Sequence, residues 1–283
     1  FTIGMFDGLH LGHKKVINFA KNLAEKIDGK VFVITFDTHP RAIFSSIKED
    51  FILTTNEEKL QILQDMNIDG VIFLYFDCKT ANILPEEFVK KDLMAKLNPH
   101  TIVVGEDFRF GKDKKGDAKL LQKFVDTEIV PILKNNNGEK ISSSYIRELL
   151  QNGDIEKVNQ MLGHNYFVCG QVIHGLAIAR KFGVPTANIH ISNLKLLPTG
   201  VFAGLTDIED NKFLSAISIG IRQTLDKKDS KLCLESHVID FDQDIYHKRV
   251  KLELERKIRS QQKFDSLDKL FEQIRKDIEI IKN

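Results

Sequence analysis

The sequence predicts an α/β protein: a doubly wound parallel sheet with helices on both faces, then a small antiparallel six-stranded β-barrel with a C-terminal helix. Three observations predict it. Apolar strand runs alternate with helical stretches through the first half, the pattern of a parallel sheet built from crossover units. From Phe167 onward six strand-like runs succeed one another with short loops, and no long helix appears until Ser266, which suggests closure into a barrel. The last stretch sets Leu267, Leu270, Phe271, Ile274, Ile278 and Ile281 on one helical stripe, a face to pack on that barrel. A chain of 283 residues has room for two domains. The change of pattern near Gly163 to Tyr166 divides it into 1–164 and 165–283.

Element by element, the chain opens on a short apolar strand and a loop, and Lys14 to Ile27 follows as a helix. Lys30 to Phe36, rich in β-branched and aromatic residues, is the second strand. Asn56 to Met66 is helical, with Leu60, Ile62, Leu63 and Met66 apolar. Gly70 to Phe76 is a nearly continuous apolar run, as expected of a strand covered on both faces. Pro85 to Leu97 is a helix with proline in its first turn. Thr101 to Gly105 is a strand, Ala118 to Val125 a helix and Glu128 to Leu133 a strand; the polar Lys134 to Gly138 is a turn. Ser142 to Leu150 and Ile155 to Leu162 are short helices broken at Gly153 and Asp154. The barrel strands are Phe167 to Ile173, Thr186 to Ile191, Gly200 to Thr206, Lys212 to Ile219, Leu232 to Phe241 and Arg249 to Leu254.

Composition narrows the partners. Apolar residues at 42% and charged residues at 29% mark a soluble globular chain. Lys+Arg 41 against Asp+Glu 40 argues against a nucleic-acid backbone as the main partner, so any phosphate site is local. No apolar run is long enough to span a membrane, and no secretory signal is visible. The chain opens on a strand without methionine, so residues ahead of Phe1 are expected. Cys78, Cys169 and Cys233 are far apart and odd in number, which implies neither metal spacing nor a disulfide framework. They read as buried or half-buried thiols in a reducing cytoplasm. Oligomeric state is not readable.

The richest segment is Phe1 to His13, where a strand runs into His10, Gly12 and His13 at the start of a helix. Unpaired N–H groups and the dipole favour an anion there. Imidazoles donate to phosphate oxygens, and Gly12 permits close approach. The reading is a nucleotide-phosphate cradle; a solvated cap or a zinc half-site accounts equally well for the tetrapeptide alone. Ser142, Ser143 and Ser144 open a later helix with Arg147 one turn further in, which is an ordinary cap or a clamp for terminal phosphates. Val103 to Gly116 has glycines and Lys112, but the wrong glycine spacing and Asp113 in place of a hydroxyl rule out a P-loop. Its Asp107, Phe108 and Arg109 suit the lining of a nucleotide or ring pocket. Thr35 to Arg41, with His39 before Pro40, is a rigid turn. In the second half Thr186 and Asn188 alternate on a strand and offer oxygen to Mg²⁺, or else form a polar edge. Glu235 is a candidate base for a hydroxyl, or an outward solvated residue.

Taken together, Gly4 to His13, Thr35 to Pro40, Val103 to Gly111 and Ile141 to Arg147 resemble, in order and spacing, the Rossmann-like nucleotidyltransferase module of bacterial bifunctional riboflavin kinase/FAD synthetase. Thr38 and Ser144 are small departures that keep hydrogen-bonding groups. His174 to Asn188, Glu235 with Asp240 to Tyr246, Lys263-Phe264 and Gln273 to Asp277 resemble its kinase module. The resemblance implies FMN adenylyltransferase activity in 1–164 and riboflavin kinase activity in 165–283. ATP is the co-substrate, riboflavin, FMN and FAD are substrates and products, and Mg²⁺ is the metal. It implies catalytic roles for His13, Arg147 and Glu235. Gly4, Phe6, His10, Gly12, His13, Ser142, Ser143, Arg147, His174, Gly175, Arg180 and Gly183 would meet ATP. His39, Asp107, Phe108, Arg109 and Arg222 would meet flavin, and Thr186 and Asn188 the metal. Ala179, Ser218, Gln223 and His247 depart from the kinase pattern. The alternatives are an adenylyltransferase with a degenerate barrel, a flavin sensor without catalysis, and a transferase for another acceptor such as nicotinamide mononucleotide.

Overall fold

The structure, a computed structural model, describes residues 1–44, 51–175, 182–192, 194–222 and 231–283. It divides into two units, Phe1–Tyr145 and Ile146–Asn283.

In the first unit the elements run β1 (Thr2–Ile3), α1 (Leu11–Lys26), β2 (Phe32–Phe36), α2 (Pro40–Phe44), α3 (Asn56–Asp65) and β3 (Gly70–Leu74). After a 3₁₀ turn come α4 (Pro85–Glu87), a π-helical stretch (Phe88–Met94), α5 (Ala95–Leu97) and β4 (Thr101–Gly105). A small hairpin, β5 (Arg109–Phe110) with β6 (Gly116–Asp117), leads to α6 (Ala118–Leu121), β7 (Asp126–Val130) and the first residues of α7 (Ser143–Asn152). Among the described residues β1, β2, β3, β4 and β7 form one parallel sheet in the order β3-β2-β1-β4-β7.

The order corrects one expectation. Gly70–Leu74, the most apolar run, is half-buried throughout because it is the edge strand. The strand covered on both faces is β4. Ile102 and Val104 enter one core with Ile3, Val89, Leu93 and Leu121, and Val103 enters another with Val16, Ala20 and Val31. The helix expected over Pro85 to Leu97 is there, but its middle widens to π geometry, which keeps Val89 and Leu93 both in the core. Helix α6 stops at Leu121, and β7 starts at Asp126, ahead of the expected Glu128.

The second unit holds the rest of α7, then α8 (Ile155–Leu162), β8 (Tyr166–Ile173), β9 (Ala187–His190), β10 (Gly200–Ile208), β11 (Asn211–Arg222), β12 (Lys231–Val238), β13 (Arg249–Arg259) and α9 (Leu267–Lys282). The strands close into an antiparallel barrel in the order β10-β11-β12-β9-β8-β13. Strand β13 outruns its expected end at Leu254, because Arg256, Lys257 and Arg259 continue to pair with β10 across two register shifts. Thr186 sits just ahead of β9 rather than on it. Helix α9 presents the expected stripe, with Phe271 and Ile281 buried, but Leu267 is exposed and the charged Asp277 is buried instead. Cys169 and Cys233 are half-buried, whereas Cys78 is exposed.

Candidate active sites

The order β3-β2-β1-β4-β7 places a topological switch between β1 and β4, where open α/β sheets bind ligands at the carboxyl ends of the strands. The loop after β1 occupies that point. Phe6 and Leu9 are held there in left-handed backbone, at φ 48 and 42, which costs such residues about 1–3 kcal/mol each and persists only where surroundings enforce it. Enforcement centres on Asp7. Its buried carboxylate accepts from Leu53 N–H (2.9 Å), Thr54 N–H (3.0 Å) and Thr54 Oγ1 (3.3 Å). Thr54 Oγ1 in turn accepts from Gly8 N–H (3.0 Å), and Ser143 Oγ donates to the Asp7 carbonyl (2.8 Å).

His10 caps α1 with its own ring: Nδ1 accepts from His13 N–H at 3.2 Å. An accepting Nδ1 puts the neutral ring's proton on Nε2, free to donate outward. The His10 and His13 rings stack at 3.6 Å and 16°. The space beside Gly12 is already filled, since a Cβ there would stand 3.1 Å from the His10 ring. Burial pulls His10 down to about 4, against the opposing charges of Asp7 and Asp107. Burial, then the neighbouring His10 and Lys59, holds His13 well below its usual range. Both rings are therefore neutral at pH 7. His13 Nδ1 is shielded from solvent and, among the described residues, has no hydrogen-bond partner, an imperfection that calls for a ligand or a role.

The other expected residues are found in varying states. Gly4 sits against the Phe6 ring. Ser142 Oγ accepts from Tyr145 N–H at 3.4 Å. Asp107 pairs with Lys140, Phe108 stacks on Phe110, and Arg109 donates to the Phe108 carbonyl at 2.7 Å. His39, past the end of β2, accepts from Arg41 N–H and meets Phe51 edge to face. Arg147 lies further along α7, past the division between the units.

In the barrel, two cavities of about 320 and 280 Å³ share Thr186 and Asn188 as a common wall. The first is lined by apolar Phe264, Leu267, Phe271 and Ile274, and by Glu235. Glu235 stands opposite Asn188 in the β12–β9 register. The second is lined by Gly175, Phe241, Asp242, Asp244 and Tyr246. His174 stacks on Tyr246 at 3.8 Å. Gly175 is needed bare, since a Cβ would run into the Asn188 amide. His237 Nδ1–H donates to the Pro185 carbonyl at 2.7 Å, tying the segment ahead of Thr186 to β12. A hydroxyl, an amide oxygen and a nearby carboxylate form a hard-oxygen set that suits Mg²⁺ rather than a thiol- or imidazole-seeking metal. Gly183 is at φ 74. Arg180, Ala179 and Gln223 lie outside the described residues, and Arg222 is described only by its backbone at the end of β11. Ser218 Oγ accepts from Gln261 Nε2 at 3.1 Å. His247 takes a left-handed φ of 64, secured by its N–H to the Val172 carbonyl at 2.9 Å.

Sequence reading gave no site role to three residues that build these sites, although Asp7 and Asp277 stand inside its motifs. Asp7 lies inside the first motif, flanked by more conspicuous histidines. Lys59 is buried on α3 between ordinary helical residues, with no local signal. Asp277 is 2% exposed and pairs with Arg259, Nη2 to Oδ2 at 2.8 Å, at the first barrel cavity.

Comparison with known proteins matches residues 1–145 to the FAD synthetase family and residues 162–283 to the riboflavin kinase family. A curated relative in Bacillus subtilis (strain 168), a bifunctional riboflavin kinase/FMN adenylyltransferase, is 36% identical over 98% of this chain and 89% of its own. The chain belongs to the bifunctional riboflavin kinase/FMN adenylyltransferase family. Another member, from Buchnera aphidicola subsp. Schizaphis graminum, is 35% identical over 99% of this chain and 92% of its own. A crystal structure from Streptococcus pneumoniae, described as a macrolide-efflux protein, shares the fold of this family member with a TM-score of 0.89 and 30% identity. That likeness covers 100% of this chain and 93% of the other. Among the described residues of this family member, no helix is long and apolar enough to cross a membrane.

Proposed function

We propose that this protein phosphorylates riboflavin to FMN with ATP, and adenylylates FMN to FAD with release of pyrophosphate. The observation that carries the reading is that one chain matches both the FAD synthetase and the riboflavin kinase families, end to end. We assign the first reaction to 165–283 and the second to 1–164.

For adenylyl transfer, an oxygen of the FMN phosphate attacks the α-phosphorus of ATP, and the bond from that phosphorus to pyrophosphate breaks. The attacking oxygen is already anionic, so the work is alignment and neutralisation of charge. His13 donates to the α-phosphate and His10, through Nε2–H, to the triphosphate, on the loop shaped by Gly4, Phe6 and Gly12. Ser142, Ser143 and Arg147 hold the β/γ end. Because its hydroxyl proton is committed to the Asp7 carbonyl, Ser143 contributes through its backbone N–H. His39, Asp107, Phe108 and Arg109 receive FMN.

For the kinase, riboflavin occupies the apolar cavity beside Glu235, and Arg222 is assigned to the flavin from the sequence resemblance. ATP occupies the other cavity, beside Gly175; His174, Gly183 and Arg180, the last outside the described residues, are assigned to ATP from the sequence resemblance. Glu235 takes the proton of the terminal ribityl hydroxyl as its oxygen bonds to the γ-phosphorus and the bond to ADP breaks. Thr186 and Asn188 would hold Mg²⁺, which when bound offsets phosphate charge. The near-neutral charge argues against a nucleic-acid backbone as the main partner, and three scattered cysteines suit a reducing cytoplasm. Chromatography of products from riboflavin plus Mg-ATP tests the reading. FMN followed by FAD is expected, and the absence of FAD would refute it.

A further inference from the structure

Lys59 stands outside every motif discussed above. It is 3% exposed, yet among the described residues no carboxylate lies within ion-pair distance of it. Its Nζ donates to two neutral acceptors, the Met5 carbonyl at 2.9 Å and Thr35 Oγ1 at 3.1 Å. Thr35 Oγ1 donates to the same Met5 carbonyl at 3.1 Å. Met5 lies in the loop that ends at His10 and leads into His13 on α1, and Thr35 is near the carboxyl end of β2. The ammonium therefore ties two strand ends together at the rim of the switch point.

A hydroxyl or amide would make that tie without burying a charge, and a buried charge lacking a counter-ion is costly. The titratable groups that face it are Asp7, from the loop after β1, and His13, from α1. Among the described residues His13 Nδ1 has no partner, and both histidines are neutral, so the loop offers donors but no cation of its own. Lys59 uses two of its three N–H groups. Burial pulls it down to about 8, opposed by the charge of Asp7.

We propose that Lys59 is a positioning residue for adenylyl transfer: its buried ammonium fixes the loop between β1 and α1 and supplies, from behind, the positive charge that the two histidines lack toward the triphosphate. This rests on the reading given under Proposed function.

The test uses the full chain and both reactions. Lys59→Met removes charge and donors while keeping length; Lys59→Arg keeps the charge at every working pH. In the wild type, kcat/KM for ATP in FAD synthesis falls above about 8, where the free enzyme loses the Lys59 proton. The kcat limb lies at higher pH, because bound phosphate retains that proton. Lys59→Met loses roughly tenfold or more in kcat/KM, chiefly through KM for ATP. Lys59→Arg stays within a few-fold and lacks the alkaline limb. Riboflavin phosphorylation is unchanged in both. A Lys59→Met enzyme within about twofold of wild type, or an alkaline limb that persists in Lys59→Arg, overturns the proposal. Should Lys59→Met fail to fold, losing both reactions, the pH profile of Lys59→Arg decides alone. A wild type that makes no FAD from FMN refutes the functional reading; one that makes it, with variants indistinguishable from it, refutes only the role of Lys59.

Discussion

Replacing Asp277 by asparagine should cripple riboflavin phosphorylation while leaving FAD synthesis from FMN intact. The carboxylate is 2% exposed and accepts from Arg259 Nε at both oxygens (3.0 and 2.9 Å), and from Gln273 Nε2 at 2.9 Å. Arg259 is itself largely buried, at 14% side-chain exposure. Removing one partner of such a pair leaves an uncompensated guanidinium in a dry setting, at a cost of roughly 3–5 kcal/mol. That is a large share of the 5–15 kcal/mol a domain has in total. The pair also joins α9 to β13 at the first barrel cavity, so the loss reaches the site proposed for riboflavin. The assay is a urea titration in which circular dichroism, riboflavin phosphorylation and FAD synthesis from supplied FMN are read on the same samples. In Asp277→Asn the kinase activity should disappear at lower urea, separated from a FAD-forming activity that keeps its wild-type midpoint. The double variant Arg259→Met/Asp277→Leu should regain much of the stability, because apolar replacements remove the stranded charge. An unchanged kinase midpoint in Asp277→Asn, or a double variant as unstable as the sum of the singles, would refute the argument.

Four further outcomes follow from the geometry. His13→Ala should lower FAD synthesis about a hundredfold and spare riboflavin phosphorylation, measured by product chromatography; Glu235→Ala should do the opposite by about a hundredfold or more. The His10 ring is buried neutral, with a folded value of about 4 against 6.5 unfolded. The unfolded chain therefore binds the extra proton between those values, and stability present above 6.5 is lost as pH falls toward 4, by about 3 kcal/mol. Denaturant unfolding at several pH values should show that slope in wild type and a shallower one in His10→Asn, which keeps a capping side chain and leaves only the contribution of the buried His13. Finally, Gly12→Ala should displace the His10 ring, 3.1 Å away, loosening the cap by about 1 kcal/mol; an unaltered KM for ATP in FAD synthesis would contradict this.

The architecture was legible because it rests on periodicity. Alternating strand and helix runs announce a wound sheet, and the stripe on α9 announces a packed face. Which strands are interior was not, since GVIFL at the edge is more apolar than TIVVG inside the sheet; order in a sheet is set by crossovers, not by composition. The His10–His13 pair was legible as a helix start, but not the capping of one histidine's amide by the other's ring, which depends on a rotamer. Asp7, Lys59 and Asp277 escaped for a shared reason. Each is a charged side chain whose meaning comes from partners between 18 and 54 residues away in the chain.

The shared wall of Thr186 and Asn188 has a use beyond explaining the kinase. With the chambers occupied as proposed above, a compound that joins an isoalloxazine-like head to an adenosine tail by a short tether would fill both at once. Its second half would then bind at the effective concentration set by the tether rather than by dose. Selectivity would come from matching linker length to the thickness of that two-residue partition, a dimension unavailable to inhibitors that imitate ATP alone.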